Sequence, residues 1–293
     1  MNKLKLLLSV VGLLFASQSF SQEAGSFFGE DGNLNDSVIT DLPTGNPLEG
    51  IEPIEMVNPR ADDVYWQKVI YRMIDLREKF NYPLYFPTEA ADNRENLFAV
   101  IFNLASKGKI KLYQYQDKKE NFDDQHLVKF GDILRQQEIS FTPKKDSITN
   151  DTIYNVDESD IPGYAINKYY VKEVWYFDKV SSTFNVKIIA LCPILVKDGD
   201  TGKEKMPLFW VSYDKLRPFL AQTEVMITDK NNGARPSFDD LFMKRRFSSY
   251  IYRESNIRDL NLLEYNNDVE GVHKEQARIK TALLNFENDL WEY

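Results

Sequence analysis

A chain of 293 residues with a net charge of −9 lacks the basic surface with which a general nucleic-acid binder displaces counterions. Its one cysteine, Cys192, excludes an internal disulfide, so stability has to come from a packed core. The length suffices for one large domain or two modest ones.

The first 21 residues read as a secretion signal. Lys3 and Lys5 supply a short positive start, and the apolar run from Leu6 to Ala16 is shorter than the roughly 20 residues a membrane span needs. Ser19 and Ser21 are the small residues expected before a cut between Ser21 and Gln22. Losing two lysines with the leader makes the rest more acidic still. Residues 22–60 are rich in Gly, Asn, Asp, Glu and Pro, with isolated apolar residues such as Val38, Ile39 and Ile51. No period connects them, which predicts an extended or mobile arm ordered, if at all, by a neighbouring subunit.

The expected fold class is α+β, with helices packed on a small antiparallel β-meander after the N-terminal arm. A core over 61–293 is predicted, divisible into a mainly helical part (61–140) and a part with the meander and C-terminal helices (161–293). Trp66, Val69, Ile70, Met73, Leu76 and Phe80 recur at helical spacing, predicting a helix capped by Asp62 or Asp63 and ended by Asn81 and Pro83. A second helix follows Asp92-Asn93-Arg94-Glu95, presents Leu97, Val100, Ile101 and Leu104, and stops at Gly108. Next come a strand over 110–115, a short helix over 127–136, and a loop over 142–160. From Tyr169 the texture turns to β: 171–177, 186–196 and 207–213 are dense in β-branched and aromatic residues. Their short links favour antiparallel pairing. Within the second run Cys192 reads as a small core residue. A short helix from Asp214 to Leu220 and an edge strand over 224–228 are expected next. A helix beginning at Ser237 runs to about Arg253. The last helix carries Val272, Ile279, Leu283, Phe286 and Leu290 on one face. Arg77-Glu78 before Asn81 and Arg253-Glu254 before Asn256 are alike, but no fixed period makes this a repeat.

Chemistry is hard to place. His126 and His273 are the only imidazoles, both with polar flanks, and there is no His-Glu-x-x-His pair, Gly-x-Ser-x-Gly elbow or phosphate-cradling Gly-x-x-x-x-Gly-Lys-Ser/Thr loop. Residues 198–204 (DGDTGKE) superficially suggest a calcium loop. Position twelve of that loop is Phe209 instead of glutamate, and Asp-Gly and Thr-Gly between two β runs suit a hairpin turn. A carbohydrate-active enzyme needs two carboxylates at a fixed separation, which no pair in the sequence announces. A ligand-binding module on the aromatic-rich β region is the other alternative. Aromatics form 13% of the chain, and where they interleave with Arg, as in residues 244–250 (KRRFSSY), they suit interface anchors.

Three stretches carry a family likeness: residues 66–81 (WQKVIYRMIDLREKFN), residues 172–177 (KEVWYF) and residues 238–256 (FDDLFMKRRFSSYIYRESN). In these the chain resembles the GldN, or PorN, family of the gliding-motility and type IX secretion machinery. The resemblance implies a non-enzymatic periplasmic subunit with no cofactor and no catalytic residue. It also implies a ring built with an outer-membrane lipoprotein of the GldK or PorK type, and contact with the periplasmic part of the inner-membrane-anchored GldM or PorM. On that reading the predicted helices over 64–80 and 237–254 are the contact surfaces. Arg77, Glu78, Arg245, Arg246, Arg253 and Glu254 are candidates for charge registration between subunits, with Trp66 and Tyr250 as candidate anchors. Arg-Glu neighbours also serve to hold a single fold together.

Overall fold

The computed structural model describes residues 46, 48–89, 94–117, 120–145, 152–157, 160–199, 202–227, 235–257, 260–266 and 268–290. The expected signal (1–21), residues 22–45 of the arm, Trp291 and Tyr293 lie outside the described residues. Leu48–Tyr293 form a compact unit.

In chain order the elements are β1 (Val64–Asp75), α1 (Tyr82–Tyr85), α2 (Leu97–Ser106), β2 (Leu112–Tyr113), α3 (Phe130–Gln136), β3 (Thr142–Lys145), β4 (Thr152–Asn155), β5 (Ile166–Asp178), β6 (Thr183–Gly199), β7 (Gly202–Pro207), β8 (Trp210–Ser212), α4 (Tyr213–Leu220), α5 (Phe238–Met243), β9 (Tyr250–Glu254), α6 (Leu262–Tyr265) and α7 (Val269–Asp289). One sheet of order β2-β8-β6-β5-β1-β9 organises them, with β7 also paired to β6. Its pairings are antiparallel. The α+β class read from the sequence therefore holds: the expected β runs lie in β5, β6 and β8, while the link expected between the last two is itself largely strand, the end of β6 and β7.

The hairpin joining β5 to β6 shows why the chain turns there. Asp178 accepts hydrogen bonds from the Val180 amide (2.9 Å) and the Ser181 hydroxyl (2.7 Å), and Ser182 takes a φ of 52°. At the far end of β6, Gly199 pairs with Gly202, as expected of a hairpin at that Asp-Gly/Thr-Gly run. Side chains alternate across the sheet as a period of two demands. Tyr169, Val171, Leu191 and Val211 enter the main core with α2, α3, α4 and α5. Tyr170, Ala190, Cys192 and Trp210 belong to a second cluster, covered by Tyr113, Tyr115 and Phe122. Cys192 is fully buried, as its apolar neighbours predict. With both faces covered, the middle of β6, residues 188–196, reads in sequence as one unbroken apolar run.

The largest correction concerns residues 64–75, expected as a helix and folded as strand β1 between β5 and β9. Its inner half is buried on both faces, so the alternation that marks a strand is lost and the apolar positions fall by chance at helical spacing. Its β-branched and aromatic content was the better guide. The helix expected from Ser237 to about Arg253 is shorter. A reciprocal capping box between Ser237 and Asp240 starts α5, but the helix ends at Met243 and Arg245 adopts a φ of 50°. The chain then re-enters the sheet as β9. The two stretches sharing Arg-Glu before Asn thus lie in and just beyond neighbouring strands.

Smaller differences follow the same logic. Helix α2 takes its cap from Asn96, which accepts from the Ala99 amide at 2.8 Å, and Gly108 past its end has a φ of 67°. The expected loop over 142–160 contains the β3–β4 hairpin, whose Tyr154 packs on Phe130 and Phe141. The expected edge strand over 224–228 is reduced to one bridge between Glu224 and Ser237. Helix α7 forms as expected, burying Val272, Ile279 and Leu283 against Ile70 and Ile251. Upstream of β1, residues 48–60 contain no helix or strand. They are tied down by backbone acceptors: Arg217 donates to the Ile54 carbonyl (2.6 Å) and Gln222 to that of Ile51 (3.4 Å).

Candidate functional site

The eight residues singled out for contact are distributed by the β1–β9 pairing. In that register Tyr71 stands opposite Arg253, and Ile70 opposite Glu254. Arg253 is buried and donates to the Asp117 carbonyl (2.7 Å) and to the Glu120 carboxylate, with its guanidinium 3.7 Å from the Tyr71 ring centre. Glu120 also accepts from the Tyr71 hydroxyl (2.6 Å) and from Lys172 (3.3 Å). Burial first, then the bond to Glu120, push the Tyr71 hydroxyl above its usual range. One carboxylate thereby joins β1, β5 and β9 to the segment between β2 and α3.

Glu254 is also buried. Lys68 lies 2.6 Å from it and Arg278 of α7 3.1 Å. Trp66 stacks on Phe286 of α7 with ring centres 4.5 Å apart and touches Phe184 at 5.7 Å. Tyr250 donates to the Met73 sulfur at 2.6 Å. Arg245 reaches Glu173, a fully buried carboxylate of β5, at 2.8 Å, and lies over the rings of Trp175 and Phe247. Arg253, Glu254, Trp66, Tyr250 and Arg245 thus all engage partners within this chain.

The remaining three face solvent. Arg77 pairs with Asp75 at 2.5 Å while keeping 61% of its side chain exposed. Burial raises the Asp75 carboxyl, but its bonds to Arg77 and Lys168 outweigh that and hold it well below the usual carboxylate range. Glu78 is exposed next to it. Arg246 is exposed and forms no ion pair among the described residues. Asn81, expected only to end a helix, is buried and stitches the turn after β1 to Ser248: its amide donates to the Asp75 and Ser248 carbonyls at 2.8 and 2.9 Å.

Surface clefts among the described residues include a larger and a smaller one. The larger, about 900 Å³, lies between residues 79–87 and 224–227, with Leu241 and Arg246 also lining it. The sequence reading passed over most of its lining. The available signal was residues 82–87 (YPLYFP), where aromatics and prolines crowd together beyond the end of a strand. The smaller, about 350 Å³, is bordered by Tyr170, Tyr250, Tyr252, Lys205 and His273. Both exceed the roughly 300 Å³ a small-molecule site requires. His126 hydrogen-bonds Asp123 in the segment before α3. No group of His, Cys, Asp or Glu among the described residues is arranged to hold a metal ion. None of the described helices is long and apolar enough to cross a membrane.

Fold and surface together define an α+β protein built around a large antiparallel sheet, with most of its buried charges in intrachain ion pairs and an exposed apolar groove on its surface. The chain belongs to the GldN family: the family model for gliding motility associated protein GldN matches residues 59–292. It is accordingly a component of the gliding-motility and type IX secretion machinery. None of the curated proteins matches it.

Proposed function

We propose that this chain is a structural, non-enzymatic subunit of the type IX secretion and gliding complex, working in the periplasm after its leader is cut near Ser21-Gln22. In this reading it forms a ring with an outer-membrane lipoprotein of the GldK or PorK type and contacts the inner-membrane-anchored GldM or PorM component. The family match over residues 59–292 carries the reading. Arg253, Glu254 and Arg245 are taken up by pairs of low exposure within the chain, which favours the solvent-facing Arg77, Glu78 and Arg246 for charge registration. The test is to solubilise outer membranes in mild detergent and size the protein. Co-migration with a lipoprotein in a large assembly is expected; a free monomer with nothing attached overturns the proposal.

A second reading, a ligand-binding module, draws on the smaller cleft and its three tyrosines. Carbohydrate chemistry is the activity to look for there, as an enzyme or as a binder. Replacing Tyr170 and Tyr252 with Ala and finding cell-surface export unchanged would dispose of it.

A further inference from the structure

We infer that the larger groove is a docking site for an acidic segment of a partner polypeptide, one bearing phenylalanine or leucine side chains among its carboxylates. This deepens the assembly reading above and rests on it for the partner's identity. Its apolar walls come first. Phe80 is 59% exposed, Phe86 50%, Tyr82 42% and Met226 40%, gathered along one groove of about 900 Å³ whose floor includes the buried Val225 and Leu241. Single exposed apolar residues are ordinary, but a contiguous patch of this kind marks a contact surface. Lys79 adds a cation to Phe80 at one wall, and Arg246 stands by Leu241.

The charge of the rim selects the occupant. Among the described residues lining the groove, Lys79 and Arg246 stand with one carboxylate, Glu224; Arg94, also basic, is already engaged with Met226. That local excess of cations sits on a chain carrying 45 acidic and 36 basic residues. Lys79 and Arg246 are exposed and make no ion pair among the described residues, so carboxylates of an incoming chain meet cations without displacing an internal partner. A nucleic acid is disfavoured by the chain's net charge of −9 and by the apolar walls, which a phosphate backbone cannot fill. A peptide that alternates acidic and apolar side chains satisfies both features at once: rings against rings, carboxylates at the rim.

The experiment titrates the full chain with a labelled synthetic peptide alternating Glu and Phe, read by fluorescence anisotropy. Peptides alternating Lys and Phe, or Glu and Ser, serve as comparisons. The Glu/Phe peptide is expected to bind and the other two to bind at least about tenfold more weakly, a difference of about 1.4 kcal/mol. The double variant Lys79→Glu with Arg246→Glu, and separately Phe86→Ser, should each lose about tenfold or more in affinity with an unchanged near-ultraviolet circular dichroism spectrum. Lys280→Glu, an exposed change on α7, should leave binding as it was. No binding of the Glu/Phe peptide, equal binding of the Lys/Phe peptide, or indifference to the double reversal overturns the inference. If the wild-type chain enters the envelope assembly and the double variant enters at the same level, the groove is not the docking site while the assembly reading stands. If the wild type itself runs as a free monomer, the assembly reading falls and the peptide titration decides the groove alone.

Discussion

Arg245 and Arg246 are neighbours in sequence, yet the structure gives them opposite duties, and replacing each by methionine separates them. The Glu173 carboxylate is fully buried on β5. One oxygen accepts from Arg245 at 2.8 Å and the other from the Trp175 indole at 3.1 Å. Arg72 stands nearby: burial lowers its pKa, and the charge of Glu173 partly restores it. Removing one partner of a buried ion pair costs about 3–5 kcal/mol, because the other charge is left stranded. Arg245 keeps 30% of its side chain exposed, so water reaches the pair, and Trp175 and Arg72 remain. The expected loss for Arg245→Met is therefore about 2–3 kcal/mol. For a fold of this size that lowers the melting temperature by about 5–10 °C. Arg246→Met changes an exposed side chain without an ion pair and should stay within about 0.5 kcal/mol of wild type. Thermal unfolding followed by near-ultraviolet circular dichroism, with urea titration for the free energies, measures both. If Arg245→Met melts with the wild type, or both variants fall equally, Glu173 is not held in the way the geometry indicates.

Glu120→Gln strands the buried Arg253 and the partly buried Lys172, and should cost about 3–5 kcal/mol by urea unfolding. Arg253→Met should cost less, since Glu120 keeps Lys172 and Tyr71, and the double variant should lose less than the sum of the two singles; strict additivity refutes the shared network. Because Asp75 titrates well below its ordinary value when folded, it stabilises the chain above the unfolded pKa of about 3.9, and that contribution fades as the pH drops through the lower folded value. Arg77→Met weakens this hold, so acid unfolding should begin at a higher pH than in the wild type, and coincident acid transitions would reject the assignment. Trp66→Ala removes the stacking surface for Phe286. It should cost about 2 kcal/mol, below the range for a fully buried tryptophan because Trp66 is half-buried, and hydrogen exchange should quicken along α7; unchanged protection there shows that α7 is held elsewhere.

Local chemistry was legible in the sequence wherever a short stretch decides its own conformation. The capping box at Ser237, the stop at Gly108, the turns after β5 and β6, the apolar face of α7 and the burial of Cys192 all depend on residues near in sequence, and each was readable there. So was the family, through three stretches that together reach from residue 66 to 256. Strand β1 was not, because a strand buried on both faces loses the alternation that identifies it, and only its neighbours β5 and β9 make it extended. For the same reason the duties of the arginines were invisible. Arg253 is turned inward by a carboxylate more than a hundred residues away in the chain, Arg245 by another on β5, and Arg246, one residue on, is left at the rim of a groove. Composition and spacing determine which side chains can pair; which of them are buried, paired or left facing water depends on contacts between distant segments, and those exist only once the sheet has closed.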